Sequence, residues 1–299
     1  MKDNVDINAT PSDASQTQIP DAAPKETASG GRIAIARSAS FLARALGRLF
    51  NGVVAFHEAI AIGVLRRPDI LEAVSQSYHA APSFYDPERY PLRIEEEILP
   101  LLEAAAPGRR LLDLYAGQGR EAEIFAHAGY DVLGIEGIAE VAARAEARAK
   151  REEFPAQFIA ADIETWEPPS KDWDVVYTSL WMYSCLPDRD ARIAWLKRLA
   201  GFASPDGVLV ISTMPRPGGG AAQWRHRIAQ FVARVTFNPR CPELGDRFDR
   251  GLFWRDFSHE EALDELRAAA LTVVAEYDHR SDHTPPCTFY LLRAQAGAT

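Results

Sequence analysis

The stretch "LLDLYAGQGREAEIFAHAGYDVLGIEG", Leu111–Gly137, decides the fold of this chain. An apolar run containing Asp113 leads into a glycine turn, a short helical segment, a second apolar run and an acid, Glu136. Gly117 and Gly119 allow a tight turn and a close approach of the backbone to a ligand. The pattern predicts a strand–helix–strand unit with a nucleotide-like cofactor at the turn.

Predicted strands and helices alternate beyond this stretch. The strands are 110–115, 130–135, 156–160, 173–178 and 208–212, and the helices are 120–127, 138–153 and 190–202. Repeated β–α–β units of this kind predict right-handed crossovers and an α/β fold with a doubly wound, mostly parallel sheet. Leu271–Tyr277 and Cys287–Leu292 are joined by a polar loop, so we expect an antiparallel hairpin that completes a seven-stranded sheet.

Two short signals place turns and helix ends. The sequence "SPDG", Ser204–Gly207, predicts a turn before the fifth strand. Ser258 followed by Glu261 is a capping box, which predicts a helix over Ser258–Ala270.

Composition narrows the class of protein. The chain has 299 residues and a net charge of -9, which disfavours a nucleic-acid partner held by general electrostatics. The three cysteines are far apart, so we expect neither a disulfide framework nor a zinc site. Apolar runs stay well short of a membrane span, and the polar start is unlike a secretory signal. We expect a cytoplasmic protein.

Composition shifts also suggest domain boundaries. Residues 1–31 are poor in large apolar side chains and predict a disordered tail. Residues 32–108 predict a helical cover, and residues 109–299 a Rossmann-like domain with an inserted Arg-rich lid at 214–258. An N-terminal amphipathic helix carries Val53, Phe56 and Ile60 on one face. Packing on the main domain, pairing with another chain and contact with a membrane all remain open for it, and the oligomeric state is undetermined.

The glycine turn is compatible with two cofactors. Gly117–Ala122 matches the dinucleotide fingerprint, which makes an NAD(P)-dependent oxidoreductase one interpretation. However, Asp113 would serve a pyrophosphate poorly and a cationic cofactor well. A second acid, Asp162, ends the third strand, placed to accept a hydrogen bond from an adenine amino group.

With these residues the chain resembles the class I S-adenosylmethionine-dependent methyltransferases, over about Arg109–Ser212 and more loosely over Phe257–Leu292. The first motif of that superfamily reads apolar-apolar-Asp-apolar-Gly-x-Gly-x-Gly. Here "LLDLYAGQG" departs from it, because Tyr115 stands where the first glycine usually sits.

The resemblance implies S-adenosylmethionine as cofactor. Glu136 would bind the ribose hydroxyls, Asp162 the adenine edge, and Asp113 the methionyl portion. Tyr85 belongs to the stretch that commonly covers the cofactor in this superfamily, although an ordinary aromatic linker is the alternative. The full implied cofactor set is Asp113, Tyr115, Ala116, Gly117, Gly119, Glu136, Gly137, Asp162, Ile163, Ser179 and Tyr85.

The loop after the fourth strand, "TSLWMYSCLPD", faces the expected acceptor. It lacks the (Asp/Asn)-Pro-Pro-aromatic signature of amide and nucleobase N-methyltransferases, which argues against DNA methylation. We expect Trp181 to wall the substrate and Tyr183 to assist catalysis. Packing of both side chains under the adjoining helix is the alternative.

The insertion at 214–258 carries eight arginines and no lysine. We expect a lid in which Arg216 and Arg225 bind an anionic acceptor through bidentate pairs, with His226 as a base. A solvated helix face is the alternative. We expect no metal site, since His279 and His283 lie in a predicted loop that does not set their spacing.

These patterns together predict a methyltransferase for a small-molecule acceptor. An NAD(P)-dependent oxidoreductase and a non-catalytic S-adenosylmethionine-binding protein remain alternatives.

Overall fold

A mostly parallel sheet forms the centre of the protein, whose computed structural model describes residues 51–80, 92–249, 251–282 and 284–295. Its main strands run in the order β3-β2-β1-β4-β5-β9-β8. Strands β1 to β5 are parallel, whereas β9 is antiparallel to both β5 and β8. The seven strands are β1 (Arg110–Leu114), β2 (Asp131–Glu136), β3 (Ala156–Ala160), β4 (Trp173–Thr178), β5 (Ala203–Pro215), β8 (Leu271–His279) and β9 (Cys287–Ala294). The predicted mostly parallel sheet and its closing antiparallel hairpin are therefore confirmed, whereas the predicted count of seven strands is too low, because two further strands extend the sheet to nine.

Helices cover both faces of this sheet. They are α1 (residues 51–64), α2 (Arg67–Ala80), α3 (Leu99–Ala105), α4 (Arg120–His127), α5 (Ala139–Glu152), α6 (Arg189–Ala200), α7 (Ala221–Val235) and α8 (His259–Ala268). Two short 3-10 turns lie at Ile94–Ile98 and Met182–Cys185. Ser258 and Glu261 form the predicted capping box at the start of α8.

The core is divided by the sheet because successive side chains of a strand point to opposite faces. Leu111 packs with the apolar side chains of α3 and α4, whereas its neighbour Leu112 packs with those of α6 and α8. In β9, Phe289 packs in the same cluster as Leu111, and its neighbour Tyr290 packs in the same cluster as Leu112. Burial on both faces explains why β1 reads as a continuous apolar run interrupted only by Asp113.

The segment at 204–207 does not form the predicted turn. Trp173 pairs with Ala203 but Val175 pairs with Val208, so Ser204–Gly207 forms a bulge within β5. Its glycine is needed here, since a Cβ at Gly207 would lie 2.5 Å from the backbone oxygen of Trp173. The turn-forming residues therefore bend a strand instead of ending it.

Two further strands lie within the inserted segment 214–258. They are β6 (Asp246–Asp249) and β7 (Leu252–Phe257), which pair with each other as an antiparallel hairpin. Strand β7 also pairs in parallel with Met214 and Pro215, at the end of β5. The insertion is thus hydrogen-bonded to the main sheet, and its action as a lid stays a prediction.

Helix α1 confirms the helical part of the N-terminal prediction over residues 51–64. Of the three uses left open for the apolar stripe, packing on the main domain is disfavoured in this portion, since Val53 and Phe56 are exposed whereas Ala59 and Ile62 are buried. The reason lies in α7: a Cβ at Gly63 would lie 2.6 Å from Val232, so only small side chains fit at this contact. The predicted disordered tail, residues 1–31, lies outside the described residues. Within the described part of the chain, no helix is both long and apolar enough to cross a membrane.

Candidate cofactor site

The glycine turn joins β1 to α4 at the edge of the sheet where the parallel strands have their carboxyl ends. Ala116 donates its backbone N–H to Ile135 O at 3.1 Å, and Gly119 donates to Ala116 O at 2.8 Å. Gly117 and Gly119 have φ values of 54° and 78°, in the left-handed region that favours glycine. The turn therefore exposes a tightly curved backbone next to the ends of β1 and β2.

Glu136 connects the glycine turn after β1 with the turn after β2. Its Oε2 accepts the backbone N–H of Gly117 at 3.0 Å, and its Oε1 accepts that of Ile138 at 2.9 Å. Burial raises the pKa of Glu136, and these hydrogen bonds oppose the shift. His79, at the end of α2, lies close enough to lower this pKa by its charge. The end of α2 is thus near the site, and the action of residues 32–108 as a cover stays a prediction.

Asp113 is fully buried, and its carboxylate is the most poorly satisfied group of the site. Neither oxygen has a hydrogen-bond partner among the described residues. Burial raises the pKa of Asp113 well above its ordinary value, and the nearby carboxylates of Glu121 and Glu95 raise it further. A cationic ligand would relieve both the desolvation and the repulsion.

A buried charge network surrounds Asp113. Arg120 donates to both carboxylate oxygens of Glu95 at 3.0 Å and to Glu121 at 2.6 Å. The hydroxyl of Tyr177 donates to Glu95 at 3.2 Å, and that of Ser179 donates to Glu121 at 2.7 Å. The predicted residue Ser179 therefore helps to hold an acid at the site.

The local charge balance is negative. Three carboxylates, those of Glu121, Glu95 and Glu136, act electrostatically on Asp113, whereas only one guanidinium, that of Arg120, opposes them. Sequence reasoning missed Glu95, Arg120 and Glu121. Glu121 had a usable signal in the first turn of α4, directly after the glycines. Glu95 had none, since it begins a run of three glutamates in which only the first is buried.

Tyr115 has a φ of 63°, in the left-handed region that favours glycine. Its hydroxyl donates to Glu164 at 3.2 Å, and its ring centroid lies 6.5 Å from that of Trp195. The side chain thus reaches the loop after β3 and packs beside α6.

Asp162 makes local contacts in the loop after β3. Its Oδ1 accepts the backbone N–H of Glu164 and its Oδ2 the hydroxyl of Thr165, both at 3.1 Å. The next residue, Ile163, is buried. Gly137, after β2, is exposed and has no atom within 4 Å of an added Cβ. The predicted contacts of these residues with an adenosine stay predictions.

The loop after β4 turns inward. Trp181 has φ 66° and donates its backbone N–H to Ser212 Oγ at 2.7 Å. Tyr183 is buried, its hydroxyl donates to Glu265, and its ring stacks on Phe257 at 5.4 Å. These are the contacts of a core side chain, and a catalytic role for Tyr183 stays a prediction without support from this geometry.

The arginines of the insertion mostly face carboxylates. Arg216 lies 2.9 Å from Glu261, and Arg225 lies 3.7 Å from Glu58. Further ion pairs are Arg240 with Asp246 and Asp188, Arg247 with Glu58 and Asp256, and Arg255 with Glu243, Asp246 and Glu261. Since these partners neutralise the guanidinium charges, the contacts favour a structural role for Arg216 and Arg225 over the predicted binding of an anionic acceptor.

His226 lies half-buried on α7 beside this arginine cluster. Burial lowers its pKa, so the imidazole is neutral at neutral pH and able to accept a proton. Its action as a base stays a prediction. Tyr85 and His283 lie outside the described residues, whereas His279 is held by Glu97 and Thr284 at 2.7 and 2.6 Å.

Comparison with known sequences gives two matches. Residues 111–207 match the family described as "Methyltransferase domain". The 23S rRNA (uracil(1939)-C(5))-methyltransferase RlmD of Thiobacillus denitrificans is 33% identical over 112 residues, covering 36% of this chain and 25% of that protein. The chain therefore spans about a quarter of the length of this curated relative.

Solved structures share the fold. The 1,6-didemethyltoxoflavin-N1-methyltransferase of Burkholderia thailandensis superposes with a TM-score of 0.54 at 19% identity, over 74% of this chain and 84% of that one. An S-adenosylmethionine-dependent methyltransferase of Clostridium acetobutylicum superposes with a TM-score of 0.51 at 14% identity, over 73% and 99% of the two chains. Identities this low establish likeness of fold alone.

Proposed function

We propose that this chain transfers the methyl group of S-adenosylmethionine to a small-molecule acceptor, as a member of the class I S-adenosylmethionine-dependent methyltransferase superfamily, which the methyltransferase-domain match over residues 111–207 and the sheet topology support. The cofactor site lies at the carboxyl ends of β1, β2 and β3, where an open α/β sheet binds ligands.

The unpartnered carboxylate of Asp113 carries this proposal. A buried acid without a hydrogen bond costs stability unless a cation neutralises it. S-adenosylmethionine brings two positive charges, on its ammonium and its sulfonium. Since Glu95, Glu121 and Glu136 add to the negative potential at Asp113, the residues present fit this cofactor.

The same charges disfavour a dinucleotide. A pyrophosphate at the start of α4 would face Glu121 and lie near Asp113. The one cation of the cluster, Arg120, is already shared between Glu95 and Glu121. The oxidoreductase interpretation therefore lacks the anion-binding groups that it requires.

Glu136 suits the ribose hydroxyls. Each of its carboxylate oxygens accepts one backbone N–H, which leaves lone pairs for two further donors. Those N–H groups also hold the carboxylate in a defined orientation between the glycine turn after β1 and the turn after β2. The proposed role of Asp162 at the adenine edge rests on its place after β3.

The cofactor, when bound, supplies a methyl group activated by the adjacent sulfonium. That methyl group would pass to the nucleophilic atom of the acceptor, with S-adenosylhomocysteine as the product of the cofactor. What this chain supplies is positioning and exclusion of water. Where the acceptor loses a proton, His226 is the candidate base because its imidazole is neutral.

A small-molecule acceptor is favoured over a nucleic acid by the net charge of -9. The relative RlmD is named as acting on 23S rRNA, but it matches over only 36% of this chain. The acceptor class needs a direct test, with ribosomal RNA as one arm and a panel of small hydroxyl, amine, thiol and carbon nucleophiles as the other. Labelling of the RNA alone would refute the small-molecule part of the proposal.

Calorimetric titration tests the cofactor. We expect micromolar binding of S-adenosylmethionine and S-adenosylhomocysteine and no binding of NAD(H) or NADP(H). Glu136→Ala should abolish binding, while Glu140→Gln, an exposed acid in the first turn of α5, should not change it. Binding of a nicotinamide cofactor alone would overturn the proposal. Binding without turnover on any acceptor would favour a non-catalytic binding protein.

A rate measurement separates the two candidate catalytic groups. His226→Gln should lower kcat and leave the KM for S-adenosylmethionine unchanged if the imidazole accepts a proton. Tyr183→Phe removes only a hydroxyl bonded to Glu265 and should leave kcat nearly unchanged. The opposite result would assign the catalytic role to Tyr183.

A further inference from the structure

Helix α7 carries a second apolar stripe that faces away from the protein. Trp224, Phe231 and Val235 are 43%, 65% and 56% exposed. Phe237, just beyond the end of the helix, is 87% exposed. Isolated exposed apolar side chains are ordinary, but three on one helix with a fourth just beyond its end form a patch of the kind that marks an interaction surface.

Helix geometry separates this stripe from the buried face. With about 100° per residue, positions 224, 231 and 235 fall within roughly 40° of one another. The buried residues Ala222, Ala229 and Ala233 lie about 120° or more away on the same helix. The stripe is therefore additional to the face that packs on the protein, and the core does not require it.

Helix α1 lies beside α7 and extends the apolar surface. A Cβ on Gly63 would lie 2.6 Å from Val232, and Asn238 Nδ2 donates to Gly63 O and Leu65 O at 2.9 Å each. Val64, next to this contact, is exposed. We refer to Trp224, Phe231, Val235, Phe237 and Val64 as the α7 surface.

The exposed charged side chains on α7 itself are positive. Residues 214–242 contain no aspartate or glutamate, although the whole chain has a net charge of -9. Arg227 and Arg234 are exposed on α7, at roughly 40° to 100° from the members of the stripe. Apolar side chains bordered by arginines, with tryptophan among them, are the composition of a helix that lies in a membrane interface.

We propose that the α7 surface binds an anionic lipid bilayer, with α7 lying in the plane of the interface. Trp224, Phe231, Val235 and Phe237 enter the boundary between headgroups and acyl chains, while Arg227 and Arg234 contact the lipid phosphates. The acidic remainder of the protein is repelled by the same lipids, which orients the molecule with α7 toward the bilayer.

The side chains of the surface argue against two other occupants. A second copy docked through the same face would place Arg227 and Arg234 close to their own counterparts. A nucleic acid requires more phosphate contacts than two exposed arginines provide.

Vesicle co-sedimentation of the full chain tests the proposal. Wild-type protein should sediment with vesicles that mix phosphatidylglycerol and phosphatidylcholine, and much less with phosphatidylcholine alone. The double variant Phe231→Ser/Phe237→Ser should bind at least about tenfold more weakly. Arg227→Gln/Arg234→Gln should also weaken binding about tenfold or more and reduce its dependence on salt.

A matched control removes exposed apolar side chains elsewhere. Ile159→Ser/Val274→Ser alters two such residues on edge strands β3 and β8 and should leave vesicle binding unchanged. All these side chains are exposed, so thermal unfolding should stay close to wild type and show that the variants fold.

Four outcomes would overturn the proposal. They are no sedimentation of the wild type, sedimentation of the α7 variants equal to wild type, a homodimer that the phenylalanine variants dissociate without any vesicle binding, and tighter binding to single-stranded RNA than to the anionic vesicles.

Discussion

At the scale of single residues, the cofactor site is held in an unfavourable state by its own acids. Asp113 is buried without a partner, and Glu136 and Glu95 also have raised pKa values because of burial. Groups of this kind are retained where ligand binding needs them, although they destabilise the free protein.

Asp113→Asn should separate the effect of this carboxylate on ligand binding from its effect on the stability of the free protein. The amide is neutral and nearly isosteric, so we expect the ligand-free protein to gain about 1 kcal/mol in free energy of unfolding. Binding of S-adenosylmethionine should weaken at least about thirtyfold, since the buried counter-charge is lost. Thermal unfolding and calorimetry measure the two quantities. A variant that is less stable and binds normally would show that Asp113 has only a structural role.

Gly119 offers a test of the turn itself. Gly119→Ala places a Cβ 2.7 Å from Phe158 Cζ at a positive φ, so we expect a loss of about 2 kcal/mol and much weaker cofactor binding. Gly137→Ala is the matched control, because its Cβ meets nothing within 4 Å, and it should change stability by less than about 0.5 kcal/mol. Equal effects in urea unfolding would contradict the assignment of the strained turn to Gly119.

At the scale of elements, buried ion pairs join helices that are distant in sequence. Arg192 of α6 donates to both carboxylate oxygens of Glu265 in α8, at 2.8 and 2.6 Å, and to Glu243 at 2.7 Å. Arg225 of α7 and Arg247 of β6 meet at Glu58 of α1. These pairs determine how the insertion and α1 sit on the sheet.

Removing the central arginine should be costly. Arg192→Met leaves Glu265 buried without its cation, and we expect a loss of about 3–5 kcal/mol in chemical denaturation. Adding Glu265→Gln to the Arg192→Met variant should restore part of the lost stability. Arg267→Met, at an exposed pair with Asp264, should cost less than about 1 kcal/mol. Equal losses for the two single variants would show that the buried cluster contributes no more than a surface ion pair.

The insertion shows why ion pairing was not predictable from local sequence. Counting nearby charges gave an arginine excess, which suggested a site for an anionic acceptor. Three of the neutralising acids, Glu58, Asp188 and Glu261, lie outside 214–258 and reach it only through the fold. The helical period of α7 was visible in sequence, whereas the identity of its partners was not.

At the scale of the whole molecule, the raised carboxylate pKa values link stability to pH. In the folded protein Asp113, Glu95 and Glu136 hold protons above their ordinary values of 3.8 to 4.5, where the unfolded chain has lost them. Their contribution to stability is therefore fully present below those ordinary values and is lost as pH rises through the raised ones.

Binding of the cofactor should have the opposite pH dependence. S-adenosylmethionine favours the ionised acids, so its binding should release protons and strengthen with pH. We expect the increase in Tm caused by the cofactor to grow between about pH 5 and about pH 8. Thermal unfolding with and without cofactor measures it, and titration in buffers of different ionisation enthalpy counts the protons. A pH-independent increase with no proton release would contradict the burial of ionisable acids at the site.

The sequence by itself determined the α/β class, most element bounds in 109–299, the closing hairpin and the resemblance to methyltransferases. These properties follow from apolar periodicity and from glycines and acids at strand ends, which are local in the chain. Only the tertiary structure decided that Glu95 joins Asp113, that Tyr183 is a core residue, and that α1 buries Ala59 and Ile62 while Val53 and Phe56 of its apolar stripe stay exposed. The physical reason is that burial and charge pairing depend on which distant elements meet, and side-chain type alone does not encode that contact.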